Sequence, residues 1–230
     1  MGGRAEMKKV TAVILSVIML LICSVISSNA ADKPIFQTDI VHGNPGEIVE
    51  VSLDLLNNPG ITALSIDIDY PTNDLELTEV KGCGLFSDAI STGDIKINPL
   101  RISWYASDSQ NKTDSGTLAK LYFRILGNAS LSRVNISYNP ENVFNNALQN
   151  QTFSIKNGWV LAGDAKIGDT NGDGSVNISD ATEVQKHLAQ LLTLSGNRLK
   201  AADADGDGVV NISDATHIQK YLAQLIDHLG

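Results

Sequence analysis

Aromatic residues make up only 5% of the 230-residue chain, histidine occurs four times and cysteine twice, at Cys23 and Cys83. Cys23 lies within an apolar N-terminal run, so a processed chain would keep Cys83 alone and could form no intramolecular disulfide. Cys83 sits between Gly82 and Gly84 with no histidine near it in sequence, which reads as a loop or buried thiol, not a nucleophile. His42, His187, His217 and His228 form no H-E-x-x-H pair, and there is no G-x-S-x-G. Outside the acidic C-terminal loops, the one G-x-G lacks the third glycine and the helix that a dinucleotide site needs. Basic charge is also scarce: 17 Lys and Arg face 26 Asp and Glu, a net of −9. With no basic patch, nucleic acid is excluded as a partner. A 43% hydrophobic content with 19 Gly and 6 Pro excludes collagen-like, disordered and polytopic membrane chains.

What is present begins with a leader. Lys8 and Lys9 precede an apolar run from Val10 to Ile26, and Ser28-Asn29-Ala30-Ala31 supplies small residues for cleavage. Residues 1–31 are expected to be a secretory signal peptide. The run is also near the lower limit for a spanning helix, so an uncleaved anchor is the alternative. Without residues 1–31, which hold Arg4, Lys8, Lys9 and Glu6, 14 basic and 25 acidic residues remain, a net of −11. Such an acidic, folded chain is expected to gather carboxylates around cations.

Residues 32–162 read as strands. Ile48 to Leu55, Leu64 to Tyr70, Leu75 to Leu77, Leu118 to Ile125 and Val134 to Tyr138 alternate apolar with polar residues. That period marks strands with one buried face. Turn signals at Gly43-Asn44-Pro45-Gly46, Asn57-Asn58-Pro59-Gly60 and Asn139-Pro140 separate them. The expectation is an all-β sandwich. Tyr70, Tyr122, Phe123 and Tyr138 are assigned to its core; the period leaves open whether Trp104 faces core or partner.

After a short join at 163–168, residues 169–230 carry a repeat offset by 34 positions. Asp169–Gln190 and Asp203–Gln224 share 16 of 22 residues. Each copy opens with D-x-[DN]-x-D-G, the start of an EF-hand-type loop. Alternate side chains of such a loop converge on one centre, and calcium takes six to eight oxygens. The expected ligands are Asp169, Asn171, Asp173, the carbonyl of Ser175, Asn177 and Asp180, then Asp203, Asp205, Asp207, the carbonyl of Val209, Asn211 and Asp214. Two calcium ions are therefore expected. Gly174 and Gly208 stand at the sharp sixth position. Asp replaces the usual Glu at the twelfth position, so the following helix must approach the ion more closely. Asn177 and Asn211 fall inside N-x-S sequons but belong to the loops. One helix should follow each loop, with apolar stripes Ala181, Val184, Leu188, Leu191 and Ala215, Ile218, Leu222, Leu225. The first loop has no room for an entering helix, so each unit reads as a loop plus one helix. Polar positions on the opposite face are identical in both copies, which points to a recognised surface.

The paired loop–helix unit resembles a type I-like dockerin. That resemblance implies partner recognition through Ile178, Ser179, Gln185, Lys186 and Gln190, and through Ile212, Ser213, Gln219, Lys220 and Gln224. The β half resembles a cohesin, through Gly46-Glu47-Ile48-Val49-Glu50-Val51, Asn57 to Leu64, Tyr70-Pro71 with Leu75, and Gly116 to Phe123. It implies a nine-stranded jelly roll that binds dockerins on one sheet, using its third, fifth, sixth and eighth strands. Ala63 and Ser65 fall at third-strand recognition positions, and Arg101 to Ala106 matches the sixth strand. Together the modules resemble an adaptor scaffoldin of a cellulosome. The implied partners are a dockerin-bearing protein for the cohesin and a larger scaffoldin's cohesin for the dockerin. The implied location is extracellular or on the cell surface, and no enzyme activity is implied. A dockerin-borne carbohydrate-binding module is the alternative, and a dockerin-borne enzyme the third reading.

Overall fold

Alternating residues of the N-terminal half pair into two sheets facing one core. The computed structural model describes residues 33–83, 90–127 and 129–230, so the leader read over 1–31 lies outside it. The strands are β1 (Ile35–Thr38), β2 (Ile40–Gly43), β3 (Ile48–Leu56), β4 (Ala63–Asp69), β5 (Leu75–Gly82), β6 (Ser91–Thr92), β7 (Leu100–Tyr105), β8 (Gly116–Ile125), β9 (Leu131–Tyr138), β10 (Ser154–Lys156) and β11 (Gly158–Ala162). One sheet has the order β10-β1-β3-β8-β5 and the other β2-β11-β9-β4-β7-β6. On β3, Val49, Val51, Leu53 and Leu55 point inward; Leu64, Ile66 and Ile68 of β4 meet them across the core. Each such fully buried side chain contributes about 1.5–3 kcal/mol.

The first and last strands each serve both sheets. β1 pairs with β3 and β10, whereas β2 pairs with β11, so the chain changes sheet at Asp39 and again at Asn157. Counted as continuous, β1 with β2 and β10 with β11, the described residues of the sandwich form nine strands, as the resemblance implied. The two crossings touch. Gly158 N–H donates to Thr38 Oγ1 at 2.6 Å, and Trp159 N–H to the Asp39 carbonyl at 3.2 Å. A Cβ at position 158 would stand 1.9 Å from that carbonyl oxygen, so only glycine fits.

Trp104 is buried in the sandwich core, and so are Tyr70 and Phe123. Tyr122 corrects the sequence reading. It lies on the outer face of β8, where its hydroxyl donates to Glu50 at 2.8 Å and Lys81 stands 4.7 Å above its ring.

The C-terminal part holds helices α1 (Ile178–Leu188), α2 (Gly196–Ala201) and α3 (Ile212–Leu222). α2 is a second correction: the second loop does have a short entering helix, of six residues. The helices also end earlier than their apolar stripes suggest. After Ala189 and Ala223 the chain turns left-handed at Gln190 (φ 58°) and Gln224 (φ 57°), a conformation usually given to glycine. Leu191 and Leu225 thereby leave the stripe and stand 79% and 73% exposed.

The two halves share a second core. Leu131 of β9 and Trp159 and Leu161 of β11 pack with Ile167, Ala181, Val184, Leu194, Ala215, Ile218 and Leu229. All but the last residue of β11 are buried, because Val160 faces the sandwich core while Trp159 and Leu161 face the helices. Residues 33–230 form one compact unit. Among the described residues no helix is long and apolar enough to cross a membrane.

Candidate functional site

The sheet β9-β4-β7-β6 consists of the eighth, third, sixth and fifth strands of the nine-strand count, in that spatial order. The four strands that the cohesin resemblance implicates are thus adjacent. Alternation on β4 sends Ala63, Ser65 and Asp67 outward, opposite the inward Leu64, Ile66 and Ile68. On β7 the outward residues are Arg101, Ser103 and Tyr105. Ser65 and Ser103 hydroxyls pair across the strands at 3.0 Å, and Arg101 grips Asp67 with two bonds of 2.8 Å. That guanidinium holds the Asp67 carboxyl below its ordinary range. Asp69 accepts from the Asn98 side-chain amide at 2.8 Å, so the two acids have separate structural partners. The face carries small hydroxyls and the Arg101–Asp67 ion pair, with Tyr105 70% exposed.

Each C-terminal loop folds by the hydrogen bonds its own residues make. Asn177 and Asn211 cap α1 and α3, and each forms a capping box with Asp180 or Asp214 three residues on. This use of both asparagines agrees with excluding them as glycosylation sites. Asp180 Oδ2 accepts from Asn177 N–H at 2.8 Å while Oδ1 accepts from Thr170 N–H at 3.0 Å. Asp214 repeats this with Asn211 at 2.7 Å and Asp205 at 3.1 Å. Asp169 accepts from Gly172 and Gly174 N–H at 2.8 and 2.9 Å, and Asp203 from Gly208 N–H at 3.1 Å. Gly174 (φ 84°) and Gly208 (φ 92°) make the sharp turn the motif demands.

The donor set fits calcium. Asp203, Asp205 and Asp214 bring carboxylate oxygens within 4.8 Å of one another. Asp180, Asp203 and Asp214 are buried. Burial pushes the Asp214 carboxyl up to about 6, and it raises Asp203 as well. Buried like charges need a compensating cation. A divalent ion would supply that charge, and Asp169, Asn171 and Asp173 are the matching side chains of the first loop. Asn171, which donates to Asp173 at 2.9 Å, stands where the second loop has Asp205, so the first loop gathers one carboxylate fewer.

The ten residues expected to recognise a partner on the helical part are all exposed: Ile178, Ser179, Gln185, Lys186 and Gln190, with Ile212, Ser213, Gln219, Lys220 and Gln224. Gln190 and Gln224 lie just beyond the helices, not on them. Sequence reasoning missed the exposed Leu188, Leu191, Leu222 and Leu225, which add two matched apolar sets to that surface. The early left-handed turn that exposes the last of each set has no glycine to announce it. Also missed was Arg133 of β9, whose Nη1 donates to Asp203 Oδ2 at 2.7 Å.

Known proteins agree with this architecture. The cohesin domain family model matches residues 36–162 and the dockerin type I domain model matches 167–223. Among solved structures, the sixth cohesin of scaffoldin B from Acetivibrio cellulolyticus, determined with a mutant Cel5 dockerin, is similar at 21% identity and TM-score 0.52. The match covers 57% of this chain and 99% of that one. A type I cohesin–dockerin complex from Clostridium thermocellum matches at 16% identity and TM-score 0.51, over 57% and 99% of the two chains. A non-cellulosomal cohesin from the archaeon Archaeoglobus fulgidus matches at 14% identity and TM-score 0.50, over 57% and 91%. At these identities the likeness concerns the fold. No curated protein matches the chain. The sandwich topology, the paired acidic loops and the two family matches together place this chain in the cohesin family, with a dockerin type I domain following the cohesin.

Proposed function

We propose that the chain is a non-catalytic adaptor scaffoldin with two independent binding ends. The cohesin takes a dockerin-bearing protein on the face of β9, β4, β7 and β6, with Ala63 and Ser65 among its contact residues. The dockerin, folded around two calcium ions, docks into the cohesin of another scaffoldin through the exposed residues of its two repeats. The modules run from 32 to 162 and from 169 to 230, and both work outside the cell in assembling a polysaccharide-degrading complex.

The observation that carries this reading is that both candidate faces are exposed at once. The dockerin packs on β11 and the start of β9, through Leu131, Trp159 and Leu161. Arg101 and Tyr105 on β7 stay exposed, and so do all ten dockerin positions. A chain whose dockerin covered its own cohesin face would be closed; this one has both ends open. The test is calorimetry of the secreted protein against a panel of dockerins and a panel of cohesins, in calcium and in chelator. An adaptor binds one member of each panel, and both interactions are lost in chelator, because each runs through a dockerin whose fold depends on calcium. Binding to soluble polysaccharide with no response to either panel would replace this reading with the carbohydrate-binding one.

A further inference from the structure

We propose that Arg133, a residue of the cohesin, makes the two calcium loops of the dockerin unequal by holding a fixed positive charge on the second. This rests on the reading that both loops bind calcium. Arg133 lies on the outward side of β9 and reaches across the domain junction. Its Nη1 donates to Asp203 Oδ2 at 2.7 Å and its Nη2 to the Gly206 carbonyl. Asp203 opens the second loop and is one of its expected ligands. The arginine side chain is only 16% exposed, and its guanidinium lies 5.5 Å from the centre of the Trp159 ring. A Cβ at Gly208 would come within 3.1 Å of Nη1, so the glycine that turns the loop also leaves room for the arginine.

The first loop has no such cation on a ligand carboxylate among the described residues. Asp169 accepts from the backbone N–H groups of Gly172, Asp173 and Gly174, with no cationic side chain on it among the described residues. Two cations do reach the first loop: Lys166 Nζ donates to the Gly174 carbonyl at 2.6 Å, and Arg198 donates to the Thr170 carbonyl and to Glu183, but none of these acceptors is an expected ligand. The duplicated sequences therefore fold into loops that differ in one respect: a cation stands directly on a ligand carboxylate only in the second, and it comes from the other domain.

A guanidinium on a ligand carboxylate opposes calcium in two ways. It occupies an oxygen the ion would use, and it repels the ion. A single and a double positive charge about 6 Å apart in a water-like dielectric repel enough to weaken binding roughly tenfold. The bonds of Asp214 to Asn211 and Asp205 already order the second loop without Arg133, so repulsion outweighs any organising effect. The first loop then fills at lower calcium. Filling the second pulls Asp203 away from Arg133 and loosens the grip of the cohesin on the dockerin.

The test is calcium titration of the full chain by calorimetry, comparing wild type with Arg133→Gln and Arg133→Lys. Terbium emission excited through tryptophan identifies the second loop, because Trp159 and Asp203 line the same cleft. The expected result is two steps, with the weaker one tightened roughly tenfold in Arg133→Gln and left weak in Arg133→Lys, which keeps the charge. The stronger step should not move. If Arg133→Gln leaves the second step unchanged or weakens it, the inference is overturned while calcium binding stands. If the wild type binds no calcium, the calcium reading is overturned and this inference with it.

Discussion

The cohesin and the dockerin are stabilised by different means. The sandwich core is made of large side chains such as Phe36, Leu53, Leu55, Ile66, Ile102 and Phe123, contributed by both sheets. The dockerin core has fewer large side chains (Ile167, Val184, Leu194, Ile218 and Leu229) among Ala181, Ala201, Ala202, Ala204 and Ala215, sits beside the buried carboxylates Asp180, Asp203 and Asp214, and takes Leu131, Trp159 and Leu161 from its neighbour. Apolar area alone can hold the first. The second needs a cation for its buried charges and a partner surface for its helices. A short domain attached to a robust one can thus have a folding equilibrium that the environment controls.

The largest test of that contrast is calcium removal. In excess chelator the dockerin helices should melt while the sandwich persists, because binding energy in such loops is folding energy. Circular dichroism should lose its helical component at a temperature where the β signal is intact. The loss is expected to be several kcal/mol for the dockerin. Unchanged helicity and an unchanged thermal midpoint would show that the dockerin core suffices without the ion.

Next is the borrowed surface. Trp159→Ala removes a ring that is 3% exposed at the junction. Truncating a buried tryptophan costs about 3–5 kcal/mol. The cost should fall mainly on the dockerin and the junction, since Trp159 faces the helices while its neighbour Val160 faces the sandwich. Proteolysis followed by mass spectrometry would show earlier cleavage after Gly163, with the sandwich fragment left intact. If the sandwich unfolds together with the dockerin, the two cores are one cooperative unit.

These two cases also show what could be read from the sequence. The period-two strands and the acidic loops are local features, so β3, β4, β8, β9 and the two loops themselves were visible in the order of residues. The sheet changes at Asp39 and Asn157 were not, because they depend on the approach of Gly158 to Asp39, about 120 residues earlier in the chain. The grip of Arg133 on Asp203 spans 70 residues and has no motif. The packing of the two domains did leave a sign. Trp159-Val160-Leu161-Ala162 breaks the alternation, as a strand covered on both faces should. Tyr122 was misread for the opposite reason: an aromatic on a strand defaults to the core, but its position in the alternation of β8 points outward, toward Glu50.

A smaller effect is expected on the cohesin face. Arg101 and Asp67 form an exposed two-bond pair, and such pairs contribute under about 1 kcal/mol. Because the arginine lowers the folded-state pKa of Asp67, its contribution is present above the unfolded carboxylate pKa of about 3.9 and fades as pH falls. Arg101→Ala should therefore lower the midpoint of urea unfolding slightly at pH 7, and the difference from wild type should shrink toward zero near pH 2. A difference that persists at acid pH would assign the effect to packing of the arginine stem.

The smallest expected effect tests whether the two dockerin repeats present equivalent faces. Ile178 and Ile212 are each 59% exposed, both helices carry the same capping box, and both turn left-handed at the same glutamine. A half turn therefore places Ile212, Ser213, Gln219, Lys220 and Gln224 where Ile178, Ser179, Gln185, Lys186 and Gln190 stood. A cohesin face that accepts one set can accept the other. Mutating Ile, Ser and Lys to Asp, Asp and Ala in one repeat removes one of two binding orientations, which costs about twofold in affinity, or roughly 0.4 kcal/mol. The same changes in both repeats leave no cluster of anchoring residues and should cost several kcal/mol. The measurement is affinity for the cognate cohesin with each repeat altered alone and then together. The Arg133 contact lies on the second repeat only, so the two single variants also compare the repeats directly. Equal twofold losses mean that the contact stops at the loop and does not reach the recognition surface. If either single variant abolishes binding, the two faces are not equivalent, and their identical residues record only a duplication.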